Sequence, residues 1–180
     1  IKKIGTPTMG GLVILIGIIF SVIMWSDLTN IYVIFSLYIL ISFGLLGVID
    51  VYKKLKNNNS SGVSFKFKLV AQIILSVIGI SLLTYHLDHQ ELTNLYFPFF
   101  KDLIINLGWF FIPCSVFVIV GASNAVNLTD GLDGLATVPV ILVAACFAFI
   151  SYFAGNIIFS DYLQIAYIEG TGEISIFCGA

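Results

Sequence analysis

Ile31-Tyr-Val-Ile-Phe-Ser-Leu-Tyr-Ile-Leu-Ile-Ser-Phe-Gly-Leu-Leu-Gly-Val-Ile49 contains no Asp, Glu, Lys or Arg and is closed by Asp50. A helix crosses a bilayer with roughly 17–25 such residues, and this stretch has that length. Four more runs read the same way, Met9–Ser26, Leu69–Leu87, Leu103–Ser123 and Leu135–Ser160, and a sixth begins at Ile174. Backbone groups in lipid have to be satisfied within their own segment, so long apolar runs are helices, whereas a barrel would show short alternating strands. Of the 180 residues 59% are hydrophobic and 10% charged, against roughly 45–50% apolar in a soluble domain. The expected fold is therefore all-α, a polytopic transmembrane bundle of five spans plus the start of a sixth. It reads as one integral-membrane domain over residues 1–180.

Charge gives the bundle a direction. All eight basic residues are lysines, and alternating spans place Lys2, Lys3, Lys53, Lys54, Lys56, Lys66 and Lys68 on one side and only Lys101 on the other. An excess of this kind marks the cytoplasmic side. Asp27, Asp88, Glu91, Asp102, Asp161, Glu169 and Glu173 collect on the opposite side, which leaves Asp50, Asp130 and Asp133 among the lysines. Each of these three adjoins the inner end of an apolar run. An Asp at the centre of a spanning helix costs about 2.5–3.5 kcal/mol, so carboxylates beside the membrane point to function. Three at one depth on the lysine-rich face favour a shared anionic or metal-bound ligand over ordinary interfacial pairing.

The densest motif is Asn124-Ala-Val-Asn-Leu-Thr-Asp-Gly-Leu-Asp-Gly-Leu-Ala136. Asn124, Asn127, Asp130 and Asp133 recur every three residues, a spacing that keeps them on one drifting face of a helix. Carboxylates and carboxamides are hard-oxygen groups suited to Mg²⁺ with its waters and to hydrogen-bonding a sugar or nucleotide. Capping of the next span would explain one of the four residues.

A second motif, Gly5-Thr-Pro-Thr-Met-Gly-Gly11, follows Lys2 and Lys3. Its residues leave open whether it is a phosphate-holding turn, with Thr6 and Thr8 as hydroxyl donors, or a turn entering the first span. The GxxxxGK[ST] order of a nucleotide-binding loop is absent.

The third is Gly47-Val-Ile-Asp-Val-Tyr-Lys-Lys54, continuing through the polar turn Asn57–Gly62 to Lys66 and Lys68. Lys53, Lys54 and Lys56 read as snorkelling anchors. Lys68 opens the third span, from where it can face a ligand held near Asp50. His86 and His89 fall at the opposite end of that span and read as solvated interfacial residues. Trp25 and Tyr96 read as aromatic anchors, and Cys114, Cys146 and Cys178 as small packing residues.

Together these three motifs resemble the phospho-N-acetylmuramoyl-pentapeptide-transferases, within the polyprenyl-phosphate N-acetylhexosamine-1-phosphate transferase superfamily. The resemblance covers essentially the whole chain but about half of the family's length. It implies a bacterial inner-membrane enzyme with a cytoplasm-facing site. The reaction implied moves phospho-MurNAc-pentapeptide from UDP-MurNAc-pentapeptide to undecaprenyl phosphate, with Mg²⁺, giving lipid I and UMP. By the same resemblance Asp50, Asp130, Asp133 and Lys68 are catalytic and Lys3 and Asn127 bind substrate; the residues' own chemistry adds Thr6, Thr8 and Asn124 as substrate contacts and Asp50 and Asp130 as metal ligands. A homodimer is compatible with it.

Two departures stand out. Val51 occupies a position where the family usually carries a second Asp. A further Mg²⁺-binding Asp and a His-rich loop of the family would lie beyond Ala180. The chain reads as an internal piece of a longer protein, and turnover is not expected of it alone. Two other functions compete with this one. A related enzyme would transfer GlcNAc-1-phosphate to a polyprenyl phosphate, which the GTPTMGG string argues against. An ion-coupled transporter would use intramembrane Asp and Asn, but its spans would be expected to repeat.

Overall fold

The computed structural model describes residues 10–56, 62–87, 92–97, 100–129 and 135–180. Its first helix, α1 (Gly10–Trp25), turns through Ser26–Asn30 into α2 (Ile31–Lys56), and α3 (Phe65–His86) returns across the layer. A two-stranded antiparallel hairpin follows, β1 (Asn94–Phe97) and β2 (Phe100–Asn106), with Asn94 opposite Asn106. A short 3-10 turn at Gly108–Phe110 then leads into α4 (Phe111–Thr129). The chain ends with α5 (Thr137–Ala154), α6 (Ile157–Leu163) and α7 (Glu173–Gly179).

Among the described residues, four helical segments, 31–54, 65–86, 108–129 and 137–154, are long and apolar enough to cross a membrane. The shorter α1 has 16 described residues, a rise of about 24 Å at 1.5 Å per residue. Phe20, Phe117, Leu142 and many other large apolar side chains point outward, as lipid-facing side chains do. The chain is a polytopic helical membrane protein, as its apolar runs indicate.

Two boundaries differ from the sequence reading. Leu103–Asn106 belong to β2, so the fourth span begins only at Gly108. The run Leu135–Ser160 is broken at Gly155, where Asn156 accepts hydrogen bonds from the Ile158 and Phe159 N–H groups and starts α6. An Asn N-cap satisfies helix donors that would otherwise be orphaned.

Packing runs from α4 to α3 to α2, with α7 against α2, α1 and α5. The core at the centre of the first three consists of Ile80, Val116 and Val120, with Phe35 and Ile119 packed on it. Gly79 lets α2 approach closely, since a Cβ there would lie 2.9 Å from Tyr38 Cε1. The Tyr38 hydroxyl donates to the Leu75 carbonyl at 3.1 Å across the same contact. Small residues at such crossings are typical of membrane helices. Among the described residues, α4 and α5 make no extensive contact although they follow each other in sequence.

The acidic end is tied together by the connections. The Asp27 N–H donates to Glu173 Oε2 at 2.9 Å, and Asn30 Nδ2 donates to the Gly170 carbonyl at 2.8 Å. Within the Ser26–Asn30 turn, the Thr29 hydroxyl and then its N–H hold the Asp27 carboxyl below the ordinary carboxylate range.

Candidate functional site

The lysine-rich end is built from the last turns of α2, the first turn of α3 and the last turns of α4. Asp50 lies one turn before Lys54, the spacing at which side chains on a helix meet. Their ion pair closes at 2.7 Å, with Lys54 half exposed and the Asp50 side chain mostly covered. The other carboxylate oxygen, Asp50 Oδ1, accepts the Val63 N–H at 2.7 Å. One acid thereby fastens the start of the returning chain to the end of α2.

Gly62 makes this clamp possible. A Cβ at Gly62 would run into the Asp50 carboxylate and the Lys54 side chain. Lys68, whose N–H donates to the Ser64 carbonyl at 3.0 Å in the first turn of α3, adds a longer-range attraction to Asp50. The basic residues Lys53, Lys54 and Lys56 also sit in the last turn of α2, where cations complement the helix dipole. Lys66 and Lys68 lie instead at a helix N-terminus, so their charge and the dipole add in attracting an anion.

On α4, Asn124 is half-buried against α3 and Asn127 is exposed. The Asn124 carboxamide donates both to Gln72 Oε1 at 2.9 Å and to the Val120 carbonyl at 2.8 Å. Gln72 is 2% exposed and donates in turn to Ser123 Oγ at 3.3 Å. The structure thus leaves Lys68 within longer electrostatic range of Asp50 and fixes Asn124 through α3. Lys3, Thr6, Thr8, Asp130 and Asp133 lie outside the described residues. The expected single face of four polar residues is therefore seen only in its first half, where Asn124 turns to α3 while Asn127 is exposed.

Three participants escaped the sequence reading. Lys54 reads from sequence as an anchor, although its spacing from Asp50 marks it as a partner. Gly62 read only as part of a flexible turn. Gln72 carried its own signal, a lone amide inside an otherwise apolar run.

Among the described residues no cluster of three metal-ligating side chains occurs. Mg²⁺ is nevertheless commonly held by one or two carboxylates together with substrate phosphates and water. Asp50 fits one such position, because its pairing with a half-exposed lysine is of a kind worth little and readily exchanged.

The description of glycosyl transferase family 4 matches residues 32–172, from the start of α2 to the turn before α7. The chain belongs to this family. A phospho-N-acetylmuramoyl-pentapeptide-transferase signature also matches residues 3–15, across the Gly5–Gly11 motif. Within glycosyl transferase family 4, the chain is similar to the phospho-N-acetylmuramoyl-pentapeptide-transferase of Pelagibacter ubique (strain HTCC1062). The two are 67% identical over 180 residues, covering 100% of this chain and 50% of the relative. Enzymes of the same name from Rickettsia bellii (strain RML369-C) and Bartonella quintana (strain Toulouse) are 52% and 50% identical over 179 residues, covering 99% of this chain and 49% of each relative. The chain spans about half the length of the curated relatives it matches.

Proposed function

We propose that the protein of which this chain forms part transfers phospho-MurNAc-pentapeptide from UDP-MurNAc-pentapeptide to undecaprenyl phosphate, releasing UMP and forming lipid I for peptidoglycan. The observation that carries the reading is the setting of Asp50, which meets Lys54 directly and Lys68 at longer range where the chain leaves the membrane. A soluble nucleotide sugar and a lipid phosphate can meet only at such a boundary. The names of the relatives support the donor.

An oxygen of the lipid phosphate attacks the β-phosphorus of the donor, the bond to the α-phosphate breaks, and UMP leaves with the electron pair. Both reactants are anions, so the barrier is lowered chiefly by charge neutralisation and in-line placement. On this reading Lys68 and Lys3 offset phosphate charge, while Thr6, Thr8, Asn124 and Asn127 orient the donor. Asp50 or Asp130 positions or deprotonates the acceptor, and Asp133 acts beside them. Mg²⁺, for which Asp50 and Asp130 are the proposed carboxylates, would neutralise charge on the diphosphate when bound.

The site faces the cytoplasm of a bacterial inner membrane, in accord with the lysine excess on that side. The described helices form one integral-membrane domain on this reading, with which a homodimer is compatible.

The test is lipid I formation by a full-length protein carrying this segment. Transfer from UDP-MurNAc-pentapeptide, abolished by chelation and strongly reduced in Asp130→Asn and Asp133→Asn, supports the assignment. Near-parental rates in both variants, or transfer from UDP-GlcNAc instead, would overturn it. Val51→Asp is expected to raise the rate by restoring the paired acid.

A further inference from the structure

A buried primary amide in a membrane span needs partners for both its donor and its acceptor. Gln72 has them, and the pattern is fully determined. The Val120 carbonyl can only accept, so the Asn124 atom facing it is Nδ2. The second hydrogen of Nδ2 reaches Gln72, which must present Oε1. The remaining Gln72 amide then donates to Ser123 Oγ. Both N–H groups of Asn124 are engaged toward α3 and its own helix, leaving Asn124 Oδ1 as an acceptor with no hydrogen bond among the described residues.

Position strengthens the case. Lys68 precedes Gln72 by four residues on α3, and Asn127 follows Asn124 by three on α4, spacings that keep each pair on one side of its helix. The two helices run antiparallel, so Lys68 and Asn127 both lie one turn nearer the lysine-rich end than the Gln72–Asn124 bond. That bond is the lowest polar tie among the described residues between the helix bearing Lys68 and the helix leading to Asp130.

We propose that Gln72 is a positioning residue for the transfer. It locks the Asn124 carboxamide with its oxygen presented to the nucleotide-sugar donor and holds Lys68 in register with Asn127. The inference rests on the function proposed above and adds to it a residue that itself touches no substrate.

The experiment is a double-mutant cycle in the full-length protein carrying this segment, with KM for UDP-MurNAc-pentapeptide, kcat and thermal unfolding measured for each variant. Gln72→Met keeps the side chain's length and apolar fit while removing both hydrogen bonds. It is expected to raise the donor KM about three- to tenfold, the worth of one neutral hydrogen bond, with a smaller change in kcat. Gln72→Glu, which retains an acceptor for Asn124, should recover part of that loss. In an Asn124→Ala background Gln72→Met should add nothing.

An unchanged donor KM with lowered thermal stability would mean that Gln72 only joins helices, and would overturn the inference. Equal effects in both backgrounds would overturn it as well. If Gln72→Met does not fold, Ser123→Ala releases the Gln72 amide without disturbing the helix contact and enters the same cycle. A rise in donor KM that disappears in the Asn124→Ala background supports the inference; no rise, or an equal one, refutes it. A parent that releases no UMP refutes the proposed function and this inference with it, whereas an active parent insensitive to these variants refutes the inference alone.

Discussion

On the proposed function Asp50 has a catalytic role besides the structural one, and one substitution separates them. In Asp50→Asn the side chain keeps its shape and an oxygen for the Val63 N–H, now bonded at 2.7 Å, but loses the charge that holds Lys54. The Lys54 side chain is 46% exposed, and pairs of that kind contribute about 0.2–1 kcal/mol. Replacing a charged acceptor by a neutral one weakens the Val63 bond by about 1 kcal/mol. The clamp is thus weakened by about 1–2 kcal/mol in all, a loss that a folded protein tolerates.

A carboxylate whose charge acts in the transition state is worth more. Removing one preorganised electrostatic group typically lowers kcat about 10²–10³-fold. The assay is UMP release by the full-length protein carrying this segment, alongside thermal unfolding in detergent. A small change in stability with a rate loss of at least about 10²-fold is the expected result. A rate loss below about thirtyfold, in step with the stability change, would mean that Asp50 serves only to anchor the α2–α3 connection.

Gly62→Ala forces a methyl group into the Asp50 carboxylate and Lys54, so the Val63 bond should break at a cost of about 1.5–3 kcal/mol. Thermal unfolding should show that loss, and combining it with Asp50→Asn should cost less than the sum. Lys68→Met keeps the stem of the side chain but removes its charge, and should raise the donor KM while leaving the unfolding temperature nearly unchanged. At the acidic end, Asp27 is held low by Thr29, so the contribution of this contact is fully present above the ordinary carboxylate range and is lost as pH falls through the lowered value. A carboxyl NMR titration should show Asp27 moving up toward its ordinary value in Thr29→Ala.

The spans were legible because lipid makes one demand everywhere: no charge over a sufficient length. The same criterion blurred their edges. Leu103–Asn106 is as apolar as the helix after it, and absence of charge does not separate a strand from a helix. Gly155-Asn156 is a break that cap chemistry could have located inside the last long run. At the site, the three-residue spacing of Asn124 and Asn127 was visible, but which of them turns to α3 depended on Gln72, a contact between distant segments. The pairing of Asp50 with Lys54 was local and readable. Its bond to Val63 required the return of the chain through Gly62, which spacing alone does not fix.

The central claim is that Asp50, Asp130 and Asp133 act on one diphosphate beside Lys68. A structure of the full-length protein with donor nucleotide and Mg²⁺ bound measures this directly. The account predicts all three carboxylates around the diphosphate, with Lys54 released from Asp50. A diphosphate bound elsewhere while Asp50 still grips Lys54 and the Val63 N–H would contradict it.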